Sequence, residues 1–127
     1  NVVARHRRLA EGVRRAVHAW GLSLCATKAA WYSDTVSAVV VPDGADARVV
    51  IAHAASRWNL ALGSGLTQLA GKVFRIGHMG DVNELMLAGA LAGTEMALLD
   101  AGIAVTPGSG VSAASSWWRE SAPLSAS

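Results

Sequence analysis

The chain has 127 residues, of which 52% are apolar and 16% charged; this is enough for one domain with a modest core and too apolar for a disordered segment. Its net charge of +2 excludes the strongly basic class of nucleic-acid binders. A single cysteine, Cys25, excludes an intrachain disulfide and suits a reducing compartment such as the cytoplasm.

The positive charge is concentrated at the start, where residues 1–20 hold five arginines and one glutamate. Residues 4–24 place Leu9, Val13, Ala16, Val17, Trp20 and Leu24 at helical spacing, with Arg7, Arg8, Glu11, Arg14 and Arg15 mostly on the other side. A basic amphipathic helix can meet a membrane or nucleic acid, or can simply present a solvated face. Gly21 ends or weakens it. The chain begins at Asn1, inside this helical pattern and without a basic-then-apolar leader, so we expect the end of a longer chain.

Val36–Val41 is a β-branched run closed by Pro42, Asp43 and Gly44, a strand followed by a turn. Asp46 can cap a helix reaching Trp58, with Ala47, Val50, Ile51, Ala54 and Trp58 on one face. Leu60–Leu62 reads as a short strand, Gly63–Gly71 as a loop and Val73–Ile76 as the third strand. Asp81 and Glu84 have capping-box spacing, so a long helix is expected from Asp81 to Ala101, stopped by Gly102 in a left-handed C′ position. At about 1.5 Å per residue it is on the order of 30 Å long; Glu84, Glu95 and Asp100 argue against a bilayer span. Gly89 and Gly93 suggest close approach of a neighbouring element. Ser109–Glu120 gives a last short helix carrying Trp117 and Trp118, and Ser121–Ser127 a loose tail. Short strands among long amphipathic helices predict an α+β fold, a small sheet with helices packed on one face.

Few residues carry chemistry. His6, His18, His53, His78 and Cys25 lack metal-ligand spacing. Ser64, His78 and Asp81 contain the residue types of a nucleophilic triad, but nothing in the sequence fixes their geometry. Gly63–Ser64–Gly65 lacks the third glycine of a dinucleotide loop and the lysine of a phosphate loop; it also reads as a loop needing backbone freedom. Arg75 stands out. It sits in the apolar run Val73–Ile76, just before Gly77 and Gly80. A guanidinium there is costly unless it meets an anion, and its planar fork suits a carboxylate held by two parallel hydrogen bonds. That carboxylate can be a structural Asp or Glu, or a ligand.

The segment GKVFRIGHMGDVNELMLAGALAGTEMAL (Gly71–Leu98) resembles the C-terminal domain of class V pyridoxal-phosphate aminotransferases, within that class the serine–glyoxylate and alanine–glyoxylate enzymes. RHRRLAEGVRRAVHAWGL (Arg5–Leu22) resembles the helix that links their large and small domains, and Thr35–Pro42 and Gly108–Trp118 also fit. The resemblance implies the small domain of a fold-type I enzyme. It divides the chain into a linker helix at 1–24, the small domain at 25–120 and a tail at 121–127. It gives Arg75 a role, clamping the substrate α-carboxylate, and leaves Ser64 and His78 near the site without one.

In that family the lysine that holds pyridoxal 5′-phosphate, the acidic partner of the pyridine nitrogen and most phosphate contacts lie in the large domain. The lysines here are Lys28 and Lys72, and Lys72 aligns with a small-domain position. The fragment alone is therefore expected to be inactive and to have no catalytic, cofactor-binding or metal-binding residue. The complete enzyme is expected to exchange an amino group in two stages, from serine or alanine to the cofactor and then to glyoxylate. It is expected to act as a cytoplasmic homodimer on small amino acids and 2-oxo acids, with no nucleic-acid or membrane partner. Cysteine desulfurases share the broad fold but carry a reactive cysteine on a mobile small-domain loop; Gly63–Gly71 has none. Ureidoglycine–glyoxylate and pyridoxamine–pyruvate aminotransferases are not separated by these residues. The alternative of another class is a free-standing α+β module that binds a carboxylate or a partner without catalysis.

Overall fold

The computed structural model describes residues 2–24, 36–64, 71–77 and 83–121. Helix α1 (Val2–Ala19) leads into strand β1 (Ser23–Leu24). Strand β2 (Val36–Val40) and helix α2 (Ala47–Trp58) follow, then strands β3 (Gly63–Ser64) and β4 (Val73–Gly77) and helices α3 (Glu84–Asp100) and α4 (Ser109–Ser121). The four strands form one antiparallel sheet in the order β1-β2-β4-β3. This is the expected α+β arrangement.

Alternation along β4 shows how the helices lie on the sheet. Phe74 and Ile76 are buried and Arg75 between them is exposed, so one face of the strand packs and the other is open. Phe74 faces the core beside Val39, its partner on β2. Above them pack Leu9, Val13 and Val17 of α1, Val50 and Ala54 of α2, Leu87, Leu91 and Leu98 of α3, and Trp118 of α4. Val73 is buried too, at the start of the strand, so the open face lies toward Gly77.

Polar groups fix how the helices meet. Arg8, expected on a solvated face, joins three helices instead: Nε donates to Ser121 Oγ (3.0 Å), Nη1 to Glu84 Oε2 (2.5 Å) and Nη2 to the Trp118 carbonyl (2.8 Å). Arg14 and Arg15 pair with Glu11, and Arg15 stacks over Trp117. Glu95, buried on α3, accepts from Trp20 Nε1 (2.9 Å) and from the backbone N–H of Gly108 (2.6 Å) and Gly110 (3.2 Å). It thereby ties the end of α1 and the start of α4 to α3.

Several boundaries differ from the sequence reading. The first helix stops at Ala19 rather than Leu24. Gly21 (φ +77°) turns the chain through a Schellman closure, Leu22 N–H to Val17 O and Gly21 N–H to His18 O, which frees Leu24 to pair with Val39 in β1. Gly102 (φ +82°) closes α3 the same way, as expected, but the helix ends at Asp100. The start of α3 is capped by Asn83, whose side chain accepts from Met86 N–H; Asp81, the cap expected from sequence, lies outside the described residues. Glu84 turns to Arg8 rather than back toward a cap. Asp46 caps α2 as expected.

The strand read at Leu60–Leu62 is instead Gly63–Ser64, inside the segment read as a loop. Leu62 is drawn into the core and Leu60 packs against it, and the backbone reaches β4 only afterwards, opposite Phe74 and Arg75. Of the two glycines on α3, Gly93 meets Leu60, 3.1 Å from where a Cβ would stand, whereas Gly89 has open space around it. Cys25, Lys28 and residues 122–127 lie outside the described residues.

Candidate functional site

Arg75 occupies the middle of β4, a strand with a neighbour on either side. Its register partners are Ala38 on β2 and Gly63 on β3. Because side chains alternate across a strand, the residues that fill the core, Phe74 and Ile76, turn Arg75 onto the open face. The side chain lies beside Gly63: a Cβ built on that glycine would stand 3.2 Å from Arg75 Nε and 3.3 Å from Nη2.

This corrects one step of the sequence argument. Within this chain Arg75 is exposed, so its guanidinium is hydrated and burial does not force an anion onto it. The structural ion pair offered as an alternative is also absent among the described residues, where no carboxylate pairs with Arg75. Five of the seven described acidic side chains are committed elsewhere: Glu84 to Arg8, Glu11 to Arg14 and Arg15, Asp46 to Arg48, Asp100 to Arg57 and Trp58, and Glu95 to Trp20 and the start of α4; the other two, Asp43 and Glu120, are exposed and do not pair with Arg75. The hydrogen bond from Arg48 holds the Asp46 carboxyl below its ordinary range, and that from Arg8 does the same for Glu84. Arg75 thus presents its fork of N–H donors to solvent, in the form that a carboxylate accepts bidentately.

Of the other residues named from sequence, Ser64 does not share its face of the sheet. Ser64 is opposite Phe74, one position out of phase with Gly63 and Arg75, so its side chain points to the other face of the sheet. His78 and Asp81 lie outside the described residues. Lys72 is exposed in the turn before β4 and borders a cavity of about 220 Å³ formed with the β2–α2 turn around Pro42, Asp43 and Gly44. That hollow offers one lysine and one carboxylate among otherwise apolar or glycine lining, which does not fit pyridoxal phosphate. No group of three or more His, Cys, Asp or Glu among the described residues could hold a metal ion. No described helix is long and apolar enough to cross a membrane. The neighbour of Arg75 that sequence reasoning missed is Gly63, read there as part of a loop needing backbone freedom; the register that sets it against Arg75 is a long-range property.

Arg75 thus stands on the open face of an antiparallel sheet whose other face is covered by the helices. In fold and sequence the chain matches the C-terminal domain of the pyridoxal-phosphate aminotransferases. Among solved structures, the pyridoxamine–pyruvate aminotransferase of Mesorhizobium loti superposes with a TM-score of 0.87 at 34% identity, covering 94% of this chain and 31% of that one. Among curated proteins, a serine–glyoxylate aminotransferase of Methylorubrum extorquens is 62% identical over 120 residues, 94% of this chain and 30% of the relative. An L-aspartate–glyoxylate aminotransferase of Paracoccus denitrificans is 50% identical over 120 residues, again 94% of this chain and 30% of the relative. The chain therefore spans about 30% of the length of the curated relatives it matches. No protein-family model matches it.

Proposed function

We propose that this chain is the substrate-carboxylate-binding C-terminal part of a pyridoxal-phosphate aminotransferase that moves an amino group from serine or alanine to glyoxylate. The observation that carries the reading is the exposed Arg75 guanidinium, unpaired among the described residues, in a chain 62% identical to a serine–glyoxylate aminotransferase. Glyoxylate is common to the names of the two curated relatives above, while the donor differs.

Arg75 binds the α-carboxylate shared by the amino acid and the 2-oxo acid. Holding it by a two-point fork fixes the rotation of the substrate about its carboxylate axis, and so the direction in which the Cα substituents point. The cofactor, which when bound supplies the electron sink for breaking a bond at Cα, belongs to the remainder of the full-length protein, with its lysine. Helix α1 joins the two parts, residues 25–120 form the small domain, and the complete enzyme is a cytoplasmic homodimer. That curated relatives are about three times longer than this chain favours a part of an enzyme over a free-standing module.

The test is Arg75→Ala in the full-length enzyme. It is expected to raise KM for amino acid and for glyoxylate strongly, with cofactor still bound; once the bound substrate and the rest of the enzyme enclose the pair, truncating one partner costs about 2–5 kcal/mol. Arg75→Lys is also expected to impair binding, because an ammonium cannot reproduce the fork. A KM within about twofold of the wild type for Arg75→Ala, far less than that loss, rejects the assignment.

A further inference from the structure

We propose that Gly63 is a positioning residue for carboxylate recognition: the absence of a side chain on β3 sets where the Arg75 guanidinium lies. The inference rests on the assignment of the substrate carboxylate to Arg75 and adds a second residue to that site.

The register sets Gly63 directly opposite Arg75 at the edge of the sheet. A Cβ at position 63 would stand 3.4 Å from Arg75 Cβ, 3.2 Å from Nε and 3.3 Å from Nη2. Directly opposed Cβ atoms in antiparallel strands are normally about 4.5–5.5 Å apart, so this pair has no room for a methyl group without a shift. Nε and one Nη are the pair of donors that a guanidinium offers along one side of its fork. They are also the first atoms that a side chain at 63 would displace.

Backbone conformation does not explain the glycine. The glycines with positive φ among the described residues are Gly21, Gly44, Gly71, Gly102 and Gly108, and Gly63 is not one of them. Any L-residue can adopt its strand geometry. What position 63 requires is clearance, and the clearance is filled by Arg75. Because Arg75 is exposed, its side chain can yield to a methyl group at little cost to the fold. The same yielding moves the two donors whose placement makes carboxylate binding bidentate. Stability and recognition should therefore part company at this position.

The experiment uses the full-length enzyme with Gly63→Ala and Gly63→Val, each alone and with Arg75→Ala. Gly63→Ala is expected to raise KM for both the amino acid and the 2-oxo acid by about fivefold or more, Gly63→Val by more, with kcat changed less, the pattern of lost substrate binding. The melting temperature of Gly63→Ala should hold or rise, because alanine at a compatible φ restricts the unfolded chain. In the Arg75→Ala background, Gly63→Ala should add less than about twofold, since a residue acting through another is not additive with its loss.

Three outcomes overturn the proposal. If Arg75→Ala raises KM but both Gly63 variants leave it within about twofold, Gly63 positions nothing and the carboxylate assignment stands alone. If Gly63→Ala acts equally strongly without Arg75, it does not act through the guanidinium. If Arg75→Ala itself leaves KM unchanged, the carboxylate assignment fails and the role of Gly63 fails with it.

Discussion

Glu95 offers the sharpest test of how the helices are locked over the sheet. Its side chain is buried, and the whole residue is 6% exposed. One oxygen accepts from both Trp20 Nε1 and Gly110 N–H, which are buried; the other accepts from Gly108 N–H, which is only partly so. Glu95→Ala removes the acceptor for all three. Water can reach the Gly108 amide, but the other two donors are left unpaired in the core. A buried donor without a partner costs about 1–3 kcal/mol, so the substitution should cost about 3–5 kcal/mol once the lost packing is included. Glu95→Gln differs in kind. Its amide oxygen can take the position that serves Trp20 and Gly110, leaving only the Gly108 contact broken, for about 1–2 kcal/mol. Against a typical total of about 5–15 kcal/mol, the alanine variant loses a large share of the stability and the glutamine variant a minor one. Urea unfolding followed by tryptophan fluorescence and far-UV circular dichroism separates them, and Trp20 is itself a reporter of the broken contact. If the two variants unfold at the same midpoint, or if Glu95→Ala costs less than about 1 kcal/mol as an ordinary surface change does, the lock is misassigned.

Arg8→Lys should cost about 1–2 kcal/mol, because an ammonium can replace only part of a fork that reaches Glu84, Ser121 and the Trp118 carbonyl at once; an unchanged urea midpoint would show that the fork carries nothing. The Arg8–Glu84 pair should also make stability acid-sensitive. The Arg8 hydrogen bond, then the Glu84 backbone, pulls the Glu84 carboxyl below its ordinary value while burial opposes them. A folded pKa below the unfolded one stabilises fully above the unfolded value and is lost as pH falls through the folded one. The gap in urea midpoint between wild type and Glu84→Gln should therefore hold from neutral pH to about pH 5 and close in stronger acid. A gap that persists at about pH 2, below the ordinary carboxylate range, would refute the linkage.

The elements that were legible in the sequence are those written in local chemistry. Asp46 before an apolar-periodic run marked α2, and its side chain does accept from Arg48 N–H. Gly102 marked the end of α3, and its backbone is left-handed. The errors fall where a partner distant in sequence decides. Leu60 and Leu62 have the composition of a strand, but the core claims them, and the edge strand forms one step later from Gly63 and Ser64, which have no strand propensity at all. Ser23–Leu24 continues the helical spacing of α1 and becomes a strand only because Val39 and Val40 stand beside it. Arg8 reads as one more charge on a wet face, since the residues that take its fork lie at positions 84, 118 and 121.

Arg75 shows the same division inside the candidate site. The sequence drew attention to it through the apolar residues around it, on the premise that they bury the guanidinium. The structure keeps the residue and removes the premise: Phe74 and Ile76 are buried because they face the helices, and for that reason alone Arg75 between them faces outward. Exposure changes what can be argued from the charge. A buried arginine must have a permanent partner, whereas an exposed one is stable in water and can release and regain an anion. No carboxylate partner stands among the described residues, so within this chain the guanidinium is open to an anion from outside it. Gly63 could not be found from sequence, because clearance for a guanidinium is a property of two strands in register, and neither strand carries it alone.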